Sequence, residues 1–178
     1  MGHDRISVMV GNTMGIVGTI FALYLSFIAQ SFQSDLPRLL LYLISFGCFV
    51  FFPHCLTHFL VGMIVGVRFQ YYCLGKSGVT KLHLPLISRV ATALPILTLK
   101  VDKSSLSSVS RGRRAAMFAS GAVASMWLPV IPTIMSLGQL PVTQSVLLIM
   151  LAGLNVAFDL YYSPKAGDMS RARSSLLA

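Results

Sequence analysis

Four stretches of this chain, approximately residues 8–30, 38–67, 115–137 and 141–162, are each apolar and long enough to cross a lipid bilayer. A hydrocarbon core of roughly 30 Å takes about 20 helical residues. Because lipid offers no partner for backbone N–H and C=O groups, such runs must satisfy them internally, as helices do. The expectation is therefore an all-α integral membrane protein with about four transmembrane helices, forming a single membrane domain over residues 1–178. The first run has the length of a secretory signal peptide. It lacks a small-residue cleavage site and leads into Ser31 to Pro37 rather than a soluble domain, so it reads as a helix.

Composition agrees: 55% of the residues are hydrophobic and only 11% charged, far from the balance of a soluble globular domain. The 14 Lys and Arg against 5 Asp, with no Glu anywhere, give a net charge of +9. Of the basic residues, Arg38 alone opens the second run; the others precede the first, follow the fourth, or fall between the second and third. Cytoplasmic loops retain Lys and Arg, so both termini and the long 68–112 segment are expected on the cytoplasmic side of the cell (plasma) membrane. The positive charge then suits anionic lipid headgroups. Its dispersal through a loop interleaved with apolar stretches speaks against a nucleic-acid partner. The three cysteines, Cys48, Cys55 and Cys73, imply no disulfide framework.

Between Arg68 and Arg114 the pattern changes to short segments punctuated by Gly75, Gly78, Pro85 and Pro95, which read as strands or an interfacial loop. This is the small cytoplasmic-side β or loop insertion between the second and third spans. Gly138 to Pro141 joins spans three and four as a tight hairpin, and Pro53 predicts a kink in the long second run. The Gly11-x-x-x-Gly15 pattern lets two helices approach closely, as with a defined partner, although ordinary glycine enrichment in membrane helices is the plainer reading. Arg171 to Ala178 reads as a short cytoplasmic helix end or a docking tail.

His54 and His58 are the candidate chemistry. Four residues apart on a helix, they share one face one turn apart, the geometry with which one helix offers two nitrogen ligands to zinc. Ionisable groups at membrane depth are costly enough to mark functional sites. The third ligand must come from elsewhere. Asp168, beyond the inner end of the fourth span, reaches the pair if the chain after Tyr162 folds back. Equally, two imidazoles on a membrane helix can simply hydrogen-bond to neighbouring carbonyls and hydroxyls. Haem fits poorly, since ligands on one turn cannot occupy opposite faces of a porphyrin.

From about Leu40 to Arg173 the order of these features resembles the site-2 protease family, the intramembrane zinc metalloproteases. The family's His-Glu-x-x-His corresponds to His54-Cys-Leu-Thr-His58, and its Gly-containing turn into a small sheet to Val65-Gly-Val-Arg-Phe69. The family's Ala-Gly-Pro-x-x-Asn helix start is matched by Ser120-Gly-Ala-Val-Ala-Ser125, with Ala122 for the proline and Ser125 for the asparagine. Its last element, Asn-x-x-Pro followed by Asp-Gly, is similar to Asp159 through Asp168, with Asp159 at the asparagine, Asp168 at the ligand position and one extra residue between.

The resemblance implies one zinc ion per chain, held by His54, His58 and Asp168. It also exposes a departure: Cys55 stands where the family has the glutamate that moves the proton of the hydrolytic water. Asp159 is a possible surrogate base, although a helix-end carboxylate paired with Lys165 or Arg171 is the plainer reading. Cys55 can equally be a small buried residue. Three functions follow as expectations. The leading one is a protease-like membrane protein with a metal site and little or no peptidase activity, binding a transmembrane segment of another protein or serving in a larger membrane complex. The others are an active intramembrane metallopeptidase and a metal-free structural subunit.

Overall fold

The structure is a computed structural model that describes residues 5–75 and 96–177. Among these residues four helices are long and apolar enough to cross a membrane by length and composition: Val8–Ala29, Asp35–Val65, Arg111–Ser136 and Val142–Ala166. The first two are α1 and α2. Residues 76–95, the middle of the expected interfacial segment, lie outside the described residues.

Helix α2 holds 31 residues, about 46 Å at 1.5 Å each, so it exceeds the bilayer core unless tilted. It runs through Pro53 without interruption. The proline removes one backbone donor, and the Thr57 hydroxyl lies 3.0 Å from the Pro53 carbonyl and 2.9 Å from that of His54. The helix stops at Gly66, whose φ of 94° is the left-handed C-cap that glycine adopts without strain. The Val67 amide then closes the end on the Gly62 carbonyl at 2.8 Å.

Beyond this cap the chain turns into β2 (Phe69–Gly75), the centre of a three-stranded antiparallel sheet between β1 (Arg5–Ile6) and β3 (Ile96–Val101). Tyr72 pairs with Ile6 on one side and Leu99 on the other. The short first strand was not legible in the sequence, since two residues show no alternation. It forms because the Ser7 cap of α1 brings Arg5 beside Cys73, where its guanidinium sits 4.8 Å from the Tyr71 ring centre.

A short helix, α3 (Lys103–Ser108), capped by Asp102, leads to the third span. That span begins at Arg111, four residues earlier than the apolar run, and is broken into α4 (Arg111–Trp127) and α5 (Val130–Ser136). The break falls at Pro129, which has no N–H to continue the ladder. After Gly138, at φ 76°, comes α6 (Val142–Ala166), and after Gly167 the helix α7 (Asp168–Leu177).

The glycines of α1 are used within the chain. Gly11, Gly15 and Gly18 are buried, and a Cβ at Gly11 would meet the Tyr72 ring, at Gly15 Leu56, and at Gly18 the Phe52 ring. The stripe is thus the seat of α2 and the sheet rather than a surface awaiting a partner. Gly18→Ala is expected to cost about 1–3 kcal/mol by overpacking, read as a lower thermal midpoint in detergent. An unchanged midpoint would mean that Phe52 moves aside freely.

Two apolar clusters hold the bundle: Ala29, Tyr42, Leu140 and Leu148 at one end, and Val67, Val109 and Met117 at the other, beside the two histidines.

Candidate metal centre

His54 and His58 project from adjacent turns of α2, their ring centres 5.0 Å apart and the rings nearly perpendicular. Gly167 ends α6 and lets the chain reverse, so that Asp168, the first residue of α7, points back at them. Its Oδ2 lies 3.1 Å from Nε2 of His54 and 3.1 Å from Nε2 of His58. The reversal is held locally: the Met169 amide donates to the Ser163 hydroxyl at 3.0 Å and the Gly167 amide to the Ser163 carbonyl at 3.1 Å. The side chains of His54, His58 and Asp168 are 33%, 13% and 14% exposed, so the cluster is shielded but reachable.

Hydrogen bonding decides which way His58 presents itself. Its Nδ1 lies 2.7 Å from the Met117 carbonyl, which can only accept, so Nδ1 carries a hydrogen. A neutral His58 therefore turns a bare Nε2 lone pair toward Asp168 Oδ2. Two acceptors at 3.1 Å repel unless a proton or a cation lies between them. The donor atoms of all three residues fall within 4.8 Å of one another, and the group could hold a metal ion. Tetrahedral zinc with bonds of about 2.0–2.2 Å spaces its ligand atoms by roughly 3.3–3.6 Å, close to the 3.1 Å of the two nitrogen–oxygen pairs. Two imidazoles and a carboxylate are also a familiar zinc donor set.

Asp168 is tuned for this role. Where protons rather than a cation lie between its Oδ2 and the two Nε2 atoms, burial pushes the carboxyl up, but the hydrogen bonds and charges of the protonated His54 and His58 outweigh that and hold it well below the ordinary carboxylate range. The stabilisation from this depressed group is present above the ordinary range and is lost only as pH falls through the depressed value. Its second oxygen, Oδ1, lies 3.7 Å from Arg171 one turn on.

Around the cluster opens a cavity of about 360 Å³, walled by apolar groups such as Val50, Phe51 and Phe158, by Leu97 and Leu99 of β3, and by the polar side chains of the site. This falls in the range of small-ligand sites. An ion held by the three residues would keep a side open to this space.

The remaining sequence candidates sit differently. Cys55 lines the cavity but is outside the three-ligand group. Its thiol donates to the Leu97 carbonyl at 3.1 Å, tying α2 to β3. Asp159 makes neither expected ion pair among the described residues. Lys165 sits 3.3 Å from the Tyr161 ring centre, Arg171 is beside Asp168, and the Asp159 Oδ2 accepts from the Ser125 hydroxyl at 3.2 Å. The pairing fails because Asp159 faces inward to α4, whereas Lys165 is exposed.

Gly121 was noted only as a motif position, and its physical role is to make room: a Cβ there would run into the His58 imidazole. The Met117 carbonyl carries no sequence signal at all, since any residue supplies one. Comparison with protein-family models, with curated proteins and with solved structures finds no match to this chain.

Proposed function

We propose that this is a site-2-protease-like, multi-pass protein of the cell membrane, with both termini in the cytoplasm. It holds one zinc ion through His54, His58 and Asp168 and has little or no peptidase activity. It acts by binding a transmembrane segment of another protein, or as a subunit of a larger membrane complex. The observation that carries the reading is the convergence of both Nε2 atoms on one Asp168 oxygen, with the His58 hydrogen committed to Met117 on the far side. A cation satisfies that arrangement directly.

The weak or absent peptidase activity follows from the position after His54. Proton transfer from the hydrolytic water needs a basic group within hydrogen-bond reach. Cys55 stands there with its thiol bonded to Leu97, and the chain has no glutamate. The apolar walls of the cavity suit an apolar side chain of a bound segment. The observation that favours an active metallopeptidase instead is that Asp159 lines the same cavity.

Elemental analysis of the detergent-purified chain is expected to find about one zinc per molecule. A quenched peptide carrying a transmembrane sequence is expected to bind without being cut. Cleavage that disappears in His54→Ala would replace the binding role by the enzyme. Protein without metal would leave only a structural subunit, its histidines serving as helix bridges.

A further inference from the structure

Among the described residues His54, unlike His58, has no carbonyl to set its tautomer. Its Nδ1 lies 3.3 Å from the Ser125 hydroxyl, and a hydroxyl can accept or donate. What the hydroxyl does is decided one step further out. Ser125 Oγ lies 3.2 Å from Asp159 Oδ2, 3.0 Å from the Gly121 carbonyl and 3.3 Å from the Ala122 carbonyl. It has one hydrogen to give. With Asp159 ionised, a hydrogen bond to its carboxylate is roughly twice as strong as one between neutral groups, so the hydrogen goes to Asp159. Among the described residues its other hydrogen-bond partners, the carboxylate and the two carbonyls, are acceptors, which leaves the Ser125 lone pair for a hydrogen on His54 Nδ1. The lone pair of His54 Nε2 then faces Asp168 Oδ2, matching the orientation that Met117 imposes on His58.

The pair is held by a single element. Asn155 and Asp159, one turn apart on α6, grip Ser125 at both polar ends. The Asn155 amide donates to the Ser125 backbone carbonyl at 2.8 Å while Asp159 takes the hydroxyl. Ser125 is buried at 6% exposure, so water does not compete freely for these bonds. This arrangement gives Asp159 a task in the fold that neither an ion pair nor a proton-abstracting base describes.

We infer that Ser125 and Asp159 are positioning residues for the metal centre, forming a carboxylate–hydroxyl–imidazole chain that fixes the tautomer and basicity of His54. The inference rests on the zinc reading given above. Partners of ligating histidines are worth about 10–100-fold in metal affinity. Asp159 acts only through the hydroxyl, so its contribution depends on Ser125.

The test is zinc affinity of the full chain in detergent, by competition with a chromophoric chelator. Ser125→Ala is expected to weaken binding about 10–100-fold, and Asp159→Ala to weaken it in the same direction by less. Ser125→Thr, which keeps the hydroxyl, is expected to stay within about threefold of the unsubstituted protein, well short of that loss. The double variant Ser125→Ala/Asp159→Ala is expected to bind no more weakly than Ser125→Ala alone. Such non-additivity marks groups acting in series, and a general loss of packing would not produce it. Cobalt in place of zinc should keep its visible spectrum in Ser125→Thr and change it in Ser125→Ala.

An unsubstituted chain that binds zinc while Ser125→Ala binds equally well would overturn the positioning role and leave the metal reading intact. Additive losses in the double variant would likewise overturn the series arrangement. A chain that binds no zinc would overturn the metal reading and this inference with it.

Discussion

Asp168→Ala is expected to reduce zinc affinity about 10²–10³-fold, which at ordinary protein concentrations empties the site during purification. Structural zinc with four ligands gains about 10–16 kcal/mol, or roughly 2.5–4 kcal/mol per ligand. Asp168 brings the negative charge as well as a bond. It is the only carboxylate in the three-residue group, and its Oδ2 is the atom that both imidazoles approach. Asp168→Asn keeps the shape and hydrogen-bonding capacity on α7 but removes the charge, and it is expected to fall between the two. The measurement is metal content after gel filtration together with chelator competition. A chain that keeps one tightly bound zinc after loss of this carboxylate would place the ion elsewhere and sink the three-ligand site.

Gly121→Ala is expected to disrupt the site from a position with no polar atom in its side chain. A methyl group on Gly121 meets the His58 ring at Nε2, Cδ2 and Cε1, so it strikes the edge that carries the ligand atom. The ring cannot simply retreat, because Nδ1 is bonded to the Met117 carbonyl at 2.7 Å. Either that bond breaks or α4 moves away from α2. The first costs metal affinity and the second costs stability, of about 1–3 kcal/mol for overpacking. Gly153→Ala and Gly112→Ala are matched controls: among the described residues nothing lies within 4 Å of a Cβ built at either position. Alanine is favoured over glycine inside a helix by up to about 1 kcal/mol, so these two are expected to be neutral or slightly stabilising. Equal behaviour of all three variants in zinc binding and thermal melting would show that the close fit of Gly121 against His58 does not matter.

The two variants probe different parts of the site, and those parts differ in how visible they are in the chain. The four long helices follow from local composition alone, because about 20 consecutive apolar residues have few alternatives to a spanning helix. The pairing of His54 with His58 is also local, since a separation of four residues stacks them on one helical face whatever surrounds them. Asp168 was reachable by a weaker route: with five acids in the chain, only Asp159 and Asp168 lie near the C-terminal end of the last long apolar run.

Where sequence reading fell short, the missing information was three-dimensional. The third span divides at Pro129, which an apolar count passes over because proline interrupts hydrogen bonding without adding charge. Asp159 was assigned to Lys165 or Arg171 on nearness along the helix. Its actual partner, Ser125, is 34 positions away on α4. The Gly11, Gly15 and Gly18 stripe promised a close helix contact, and only the fold identified the contact as internal, with Phe52, Leu56 and Tyr72.

Short-range chemistry in the chain therefore determined the four long apolar helices, the paired imidazoles and the absence of a glutamate beside them. Tertiary structure decided the rest: that α7 turns Asp168 back onto α2, that the Met117 carbonyl and Ser125 orient the two rings, and that Gly121 leaves the space they occupy. The reason is physical. Helix formation and ligand spacing on one helix depend on neighbours within a turn, whereas a metal centre depends on distances between atoms of different helices, which exist only once the helices have packed.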